Sequence, residues 1–389
     1  MQNKKHSDSN RPKPHLRRSL IFFLVAVFLT SVLLILRAIA FNNSNVADFY
    51  TAKIFTPLAR VVTGLTGLLP LSLTEILVVL GVPALLALLV FAIVRLIRNK
   101  SQRWRRVLRG SLILASVALI MFSLFLALLG INYARSPVAD ALEIDVKDRP
   151  IEELERAMRG FGLAAANVRA KLPEDGDGNI YAGTIKELQQ EAYLGWDLAG
   201  ERWSALSSPI RSKPKAVLLS RYWSYTKIVG MYVPMWVEAN INIDQPDFMI
   251  PATIAHELAH TRGFARENET DFVALLSCFV HPDPVWQYSG LISAWKDLSR
   301  RLALEDRERW SAVYAETVTD LIAQDLNNES IYWKAYETPI AEVSTQINDS
   351  YLRANREEDG VKSYGGVVDL LLAWYETEDA ATVLAAFQP

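Results

Sequence analysis

Three long apolar segments constrain the fold of this 389-residue chain more than any other feature of its sequence. They occupy about residues 19–41, 75–94 and 111–131, and each is long enough to cross the hydrocarbon core of a bilayer as a helix. Hydrophobic residues make up 51% of the chain, which agrees with such spans. The sequence therefore predicts a three-helix membrane anchor at 19–135, with the lipid bilayer as a partner.

Basic residues are distributed unevenly around these segments. The tail at 1–18 is rich in lysine and arginine, and the loop at 95–109 carries seven basic residues and no acidic residue. Cytoplasmic loops are enriched in lysine and arginine, so we expect the tail and this loop in the cytoplasm. Three spans then place the chain beyond about residue 132 outside. The expected location is the cell membrane, as a multi-pass protein with a cytoplasmic N-terminus and an extracytoplasmic C-terminal domain.

The composition changes to charged and mixed segments near residue 140, which predicts a separate domain at 140–389. Helices are expected near 150–171, 181–206, 284–303, 305–327, 331–355 and 364–376. The net charge of −2 implies no long basic face, which argues against nucleic acid as a partner. The expected fold class is an α-helical membrane anchor of three spans plus a mainly α, α+β outer domain with a small sheet.

Two short segments supply the expected sheet. Residues 232–243 alternate apolar and polar side chains, which is typical of a strand with one face on a core and one open polar face. Pro234 cannot donate to a strand ladder, so this strand is expected at an edge, where a peptide could add as a further strand. Residues 215–220 are its expected partner. In the loop at 42–74, apolar residues at helical spacing predict a helix that lies on the membrane surface or packs on the spans.

A short motif in the domain points to metal chemistry. His256, Glu257 and His260 form the pattern H-E-x-x-H. Positions four apart lie on one face of a helix, so both imidazoles can bind one zinc ion (Zn2+), with Glu257 beside them as a base for water. Pro251 suits the first turn of this helix, and Gly263 suits its end. The sequence therefore predicts zinc as the cofactor, bound by the two histidines.

A catalytic zinc site needs a third protein ligand, which the acidic residues that follow the motif can supply. Glu267 and Asp271 lie four residues apart and can both face the first helix, whereas Glu269 would point to the opposite side. Glu267 is the expected ligand, with Asp271 orienting one of the histidines. Glu269 is the reserve ligand, because the second helix could begin later than Glu267.

The string HELAHTRGFARENETDFVA at 256–274 resembles an uncharacterised bacterial membrane family. That family is a domain-of-unknown-function family with three spans and an outer H-E-L-A-H domain. The string SYGGVVDLLLAWY at 363–375 resembles the same family, so the likeness extends over most of the chain.

The E-x-x-x-D pattern that begins at Glu267 resembles the third-ligand helix of the gluzincins, the thermolysin-like zinc metallopeptidases. The resemblance implies a zincin-like domain with these roles: His256, His260 and Glu267 as zinc ligands, and Glu257 as the general base. Only six residues separate His260 from Glu267, far fewer than in thermolysin-like enzymes. This difference leaves the third ligand open between Glu267 and Glu269.

The expected function is that of a membrane-anchored zinc-dependent hydrolase, preferably a peptidase acting on a peptide or protein. Zinc lowers the pKa of water towards ~7, and Glu257 takes the proton as the amide carbonyl is attacked. A further donor to the oxyanion is expected among His281, Tyr232 and Tyr364. A cell-wall amide is an open alternative substrate. The alternative function is a catalytically silent, zinc-stabilised sensor or scaffold domain, which a fourth protein ligand would indicate.

Overall fold

The structure is a computed structural model that describes residues 14–98, 100, 102–176, 178–357 and 360–388. Its first part contains the helices α1 (Pro14–Asn42), α2 (Ser44–Tyr50), α3 (Thr56–Thr66), α4 (Leu73–Ile76), α5 (Val82–Arg98) and α6 (Arg103–Phe125). Short π-helical segments at Thr51–Phe55, Leu77–Gly81 and Leu126–Gly130 join α2 to α3, join α4 to α5, and extend α6.

The rest of the described chain is a helical domain with one small sheet. Its first half contains α7 (Val138–Ala141), α8 (Ile151–Arg169), α9 (Ile185–Glu191), α10 (Leu194–Arg202), β1 (Lys215–Val217), α11 (Ser220–Ser224), β2 (Gly230–Val233) and β3 (Glu238–Asn242). Its second half contains α12 (Ile250–Thr261), α13 (Glu267–Phe279), α14 (Pro284–Glu305), α15 (Arg307–Thr317), α16 (Asp320–Lys334), α17 (Pro339–Ala354), α18 (Val367–Tyr375) and α19 (Glu378–Ala385).

Three helices are long and apolar enough to cross a membrane, which confirms the predicted spans as helices. They are His15–Asn42, Leu73–Arg98 and Arg103–Ala134, hereafter the first, second and third spans. Each one contains its predicted apolar segment and extends beyond it, because the flanking polar residues continue the helix. Most of the predicted tail, residues 1–13, lies outside the described residues.

The first and third spans pack side by side and run in the same direction. The hydroxyls of Thr30 and Ser123 hydrogen-bond at 2.9 Å, and Arg37 Nε donates to the carbonyl of Gly130 at 3.2 Å. Both contacts join residues 93 positions apart, so the two helices advance in parallel and end at the same level. Within its described residues, the second span buries no side chain.

The segment between the first two spans packs on the anchor through one face. Tyr50 and Phe55 are buried there, and the Tyr50 hydroxyl donates to the carbonyl of Ala127 in the third span at 2.8 Å. The opposite face exposes large apolar side chains, including Ile54 and Val61. Of the two predicted positions for this segment, packing on the spans is therefore confirmed for one face, while the other face remains open.

Two hydrophobic clusters hold the molecule together. The larger one fills the domain, where α8, α12, α13, α14 and α18 surround aromatic side chains such as Phe161, Phe279 and Trp374. The rings of Phe279 and Trp374 stack with centroids 5.6 Å apart. The smaller cluster joins the spans to the domain, because Leu128 and Leu129 of the third span share it with Tyr232 of β2. This second cluster fixes the domain against the ends of the spans.

The sheet has the strand order β1-β3-β2, with β1 parallel and β2 antiparallel to β3. Residues 215–217 therefore do pair with the predicted strand segment. The prediction of one continuous strand at 232–243 is wrong, because the chain reverses at Pro234–Trp236 and Val237 adopts a φ of +50°. Pro234 has no backbone N–H and ends β2, and the alternating pattern continues across the turn by coincidence.

The polar face of this segment is also not open. All five residues of β3 are buried, and the side chains of Glu238 and Asn240 are hydrogen-bonded. Glu238 accepts from the backbone N–H groups of Leu73 and Thr74 at 3.0 and 3.1 Å, which connects the sheet to the start of the second span. The expected edge position applies to β2 alone, since β3 lies in the middle of the sheet.

Most predicted helices are present, and the differences are segments that were predicted as one helix but are divided into two. The helices expected at 150–171, 284–303 and 364–376 correspond to α8, α14 and α18. The single helix expected at 181–206 is wrong, because the chain forms α9 and α10 with a turn between them. The helix expected at 305–327 breaks before α16, where Thr319 caps the new N-terminus by accepting from Ile322 N–H. The helix expected at 331–355 breaks in the same way before Pro339 of α17.

Candidate metal centre

Helix α12 presents the H-E-x-x-H motif towards the interior. Pro251 occupies its first turn, where the missing N–H is harmless, and Gly263 follows its end with a φ of +91°. Both predicted boundary roles are confirmed. The turn at Gly263 is tight against the anchor, because an added Cβ there would lie 3.0 Å from Phe55 and 3.1 Å from Thr51. Helix α13 then begins at Glu267 and packs against α12.

Three potential ligand atoms converge where α12 and α13 meet. One nitrogen or oxygen from each of His256, His260 and Glu267 lies within 4.8 Å of the others. Glu267 Oε2 is 3.3 Å from His256 Nε2 and 3.5 Å from His260 Nε2. Donor atoms on a tetrahedral zinc ion stand about 3.3 Å apart, so the spacing of these atoms fits that ion. Glu267 Oε2 is buried and makes no hydrogen bond within the described part of the chain.

The other ring nitrogen of each histidine is already engaged. His260 Nδ1 lies 2.9 Å from the carbonyl of Phe264, which can only accept, so this nitrogen carries the proton. His256 Nδ1 donates to Asp271 Oδ1 at 2.6 Å. Nε2 is therefore the nitrogen of each ring that faces Glu267 and that a metal would bind. Asp271 occupies the orienting position that its spacing predicted.

The two glutamates of the cluster have opposite electrostatic character. Burial raises the pKa of Glu257 to about 7, and its Oε2 has no hydrogen-bond partner among the described residues. Burial also acts to raise the pKa of Glu267, but the positive charge that His260 and His256 carry when protonated outweighs it and holds that pKa well below its usual range. Glu267 is therefore a stable anion, whereas Glu257 can exchange a proton near neutral pH.

Strand β2 lies directly over the catalytic glutamate candidate. A Cβ added at Gly230 would stand 2.5 Å from Glu257 Oε1, closer than real side chains approach. Glycine is therefore required for the strand to come this near to the carboxylate. The close approach places β2 beside the cluster, and its residues line the same cleft.

The reserve ligand lies away from the cluster. Glu269 Oε1 accepts from the backbone N–H of Val138 at 2.8 Å and from Arg266 Nη2 at 2.6 Å. These contacts tie α13 to the segment that follows the third span. The structure brings Glu267 together with the two histidines and does not bring Glu269 to them.

The three residues expected to supply an oxyanion donor are placed differently from one another. His281 stacks on Trp286, and its two ring nitrogens contact the backbone of Glu191 and Asp283, outside the cleft. The ring of Tyr232 stacks on His260 at 5.7 Å, but its hydroxyl donates to the carbonyl of Leu128. The side chain of Tyr364 lies outside the described part of the structure.

A cleft of about 580 Å³ opens beside the cluster, and we call it the metal-site cleft. Its walls come from the end of the third span, from β2 and its flanking residues, from α12 and from α17. Among the residues that line it are Phe125, Leu129, Tyr133, Met231, Ile347 and Tyr351. The cleft therefore lies between the domain and the membrane part of the chain.

Sequence reasoning missed two tyrosines in this cleft. Tyr133 and Tyr351 hydrogen-bond to each other, and burial together with the nearby charge of Glu267 raises the pKa of Tyr351 to about 12. The Tyr351 hydroxyl can therefore remain a protonated donor in the cleft that holds the cluster. Tyr133 lies just after the apolar segment predicted at 111–131, and Tyr351 lies in a segment that was predicted only as a helix. No local sequence pattern therefore marks either residue.

The fold and the site define a helical protein with three candidate membrane spans and a His–His–Glu cluster in a cleft beside them. The chain belongs to the DUF3810 family, described as a protein of unknown function, whose model matches residues 50–372. No curated protein and no solved structure matches the chain. The resemblance to gluzincins therefore rests on the motif alone.

Proposed function

We propose that this protein is a membrane-anchored zinc-dependent hydrolase, and specifically a peptidase. The observation that carries the proposal is the convergence of His256 Nε2, His260 Nε2 and Glu267 Oε2 at distances suited to one zinc ion. Glu257 stands beside them with an unpartnered carboxylate oxygen, and all of these residues line the metal-site cleft.

The chemistry follows from the positions of these side chains. Zinc in such a site supplies Lewis acidity and lowers the pKa of water towards ~7. Glu257 accepts a proton from that water while the water oxygen bonds to the amide carbon. The same carboxyl group then gives the proton to the leaving nitrogen as the C–N bond breaks. Tyr351, which lines the same cleft, is the candidate to donate a hydrogen bond to the carbonyl oxygen as it gains charge.

The sheet offers a way to hold a peptide in this cleft. Strand β2 is bonded to β3 along one edge, and the strand order leaves its other edge at the margin of the sheet. An extended peptide can bind to such an edge through its backbone. Its scissile bond would then pass close to Glu257, because Gly230 lets the strand approach that carboxylate. This arrangement favours a polypeptide substrate over a cell-wall amide whose backbone is not a polypeptide.

The ligand set also bears on the alternative of a silent sensor or scaffold. Structural zinc sites are usually closed by four protein ligands, whereas catalytic sites keep one position open. In the described chain the group consists of three residues, and all three line the metal-site cleft. This count favours a catalytic role. The basic loop at 95–109 further favours a site on the outer side of the membrane.

Metal analysis of the full-length protein in detergent tests the proposal. The wild type should contain about one zinc ion per chain, because it offers three ligands at the right spacing. The His256→Ala variant should lose the zinc, whereas Glu269→Gln should keep it because Glu269 faces Val138. Wild-type protein that carries no zinc after purification without chelators, or a His256→Ala variant that keeps it, would contradict the proposed site. Cleavage of a peptide library by the wild type then tests the reaction.

A further inference from the structure

The floor of the metal-site cleft belongs to a candidate membrane span. Phe125, Leu129 and Tyr133 line the cleft together with both histidines of the motif, and all three belong to Arg103–Ala134. At a rise of about 1.5 Å per residue, Leu129 lies about 8 Å before the end of that helix. The cleft therefore reaches the level at which the third span leaves the bilayer.

The opposite wall of the cleft carries an exposed apolar face. On α17, Ile340, Val343 and Ile347 are 58%, 54% and 65% exposed, and their spacing places them on one side of the helix. Ile347 lines the cleft, and Tyr351 further along α17 contacts the ring of Phe125 at 6.0 Å. The apolar face of α17 is thus continuous with the third span. Exposed apolar surface of this kind marks a membrane or protein contact.

Another apolar face points outward from the anchor itself. Ile54, Val61 and Leu65, on the segment between the first two spans, are 46%, 62% and 64% exposed although the opposite side of that segment is packed. This segment follows the end of the first span, which is level with the end of the third. Apolar surface on both sides of the junction indicates that the bilayer surface meets the molecule at the cleft.

We infer that the substrate is a membrane-anchored polypeptide, which enters the cleft from the bilayer surface and is cut next to its membrane segment. The inference rests on the proposed hydrolase function and names its substrate class. The open edge of β2 decides between a polypeptide and a lipid, because an acyl chain has no backbone N–H or C=O groups to pair with a strand. Met231 of β2 and Leu129 of the third span offer apolar contacts to the residues that flank the cut.

Cleavage of one peptide library in three forms tests the substrate class. The full-length protein with zinc is reconstituted in vesicles with random segments that are free in solution, fused directly to one apolar transmembrane helix, or fused to that helix through a long polar spacer. We expect the directly fused form to be cut faster than the other two by about tenfold or more, because the anchor presents it at the cleft. The Glu257→Gln variant, which keeps zinc, is the control for cleavage that does not depend on this site.

Each result decides a different point. Equal cleavage of the free and directly fused forms would overturn the inference and leave the hydrolase in place. Cleavage of the spacer form at the same rate as the directly fused form would also overturn it, since nearness to the bilayer would then be irrelevant. No cleavage of any form by zinc-loaded protein would overturn both this inference and the proposed peptidase.

A measurement without catalysis tests the geometry by itself. The only cysteine of the sequence, Cys278, is fully buried, so a spin label attaches to an introduced cysteine. In lipid discs, a label on Ile347→Cys should collide more with lipid-soluble oxygen than with a water-soluble nickel chelate. A label on Leu304→Cys, at a residue that is 82% exposed near the end of α14, is the matched aqueous control. Equal access of the nickel chelate to both labels would overturn the position of the cleft at the bilayer.

Discussion

Glu257 differs from Asp271 and Glu269 because one of its buried oxygens contacts no hydrogen-bond donor in the described structure. Asp271 is engaged by His256, and Glu269 is engaged by Val138 and Arg266. The acidic residues of α12 and α13 therefore have different roles. The role of each side chain follows from the face of the helix on which it lies.

Replacing Glu257 by Gln should leave zinc bound and remove hydrolysis. The amide keeps the shape of the side chain but cannot take a proton from water, and loss of a general base costs about 10²- to 10⁴-fold in rate. Zinc content and the turnover of a peptide substrate, measured on the same preparation, check this result. Turnover equal to that of the wild type would exclude Glu257 as the base.

Replacing Asp271 by Asn should weaken zinc binding without abolishing it. The carboxylate holds His256 Nδ1 at 2.6 Å, and removal of such a partner lowers metal affinity by about 10- to 100-fold. Competition with a zinc chelator measures the change. Asn268→Ala is a suitable comparison on the same helix, because the Asn268 side chain accepts from the Glu269 N–H and, among the described residues, hydrogen-bonds to neither histidine. Equal zinc affinity in wild type and Asp271→Asn would remove the orienting role.

At the scale of the elements, the site depends on how closely β2 approaches α12. Gly230→Ala would bring a Cβ to within 2.5 Å of Glu257 Oε1 and 2.7 Å of its Cγ. Either the strand or the carboxylate must then move. A displacement of about 1 Å at a catalytic group can cost about 100-fold in rate, so we expect a fall in kcat of that order with zinc still bound.

Gly64→Ala provides the control for this substitution, because a Cβ at Gly64 meets no atom within 4 Å. Steady-state kinetics on both variants separate the steric effect at β2 from a general effect of alanine. A Gly230→Ala variant with unchanged kcat would show that β2 does not limit the position of Glu257.

The elements also mark the limit of what the sequence predicts. Helices α12 and α13 are predictable because Pro251, Gly263 and the i, i+4 spacing are local signals. The hairpin of β2 and β3 is not, since the alternation of side chains continues through Pro234–Trp236 and hides the turn. The buried polar side chains of β3 were expected to face solvent, because their partners at Ser72 and Thr74 lie far away in the sequence. Tyr133 and Tyr351 meet in the cleft only through tertiary packing.

At the scale of the whole molecule, the arrangement of the spans predicts which segments share a side of the membrane. Three spans place Gln102, between the second and third, opposite Asp145, beyond the third. In intact cells an impermeable maleimide should label Asp145→Cys, whereas Gln102→Cys should react only after the membrane is opened. Labelling of both positions from the same side would contradict three spans or their orientation. Cys278 gives no background because it is buried.

The carboxylate of Glu238 has a consequence for the order in which the protein assembles. It accepts from the first N–H groups of the second span, which are otherwise unpaired, although it is synthesised 164 residues after Thr74. The start of the span must therefore be synthesised long before this carboxylate exists, with Ser72 as its local cap. Such a long-range contact forms late in folding. A chain truncated after the third span would keep Ser72 as a local cap, but the N–H groups of Leu73 and Thr74 would lack this acceptor until the sheet is complete.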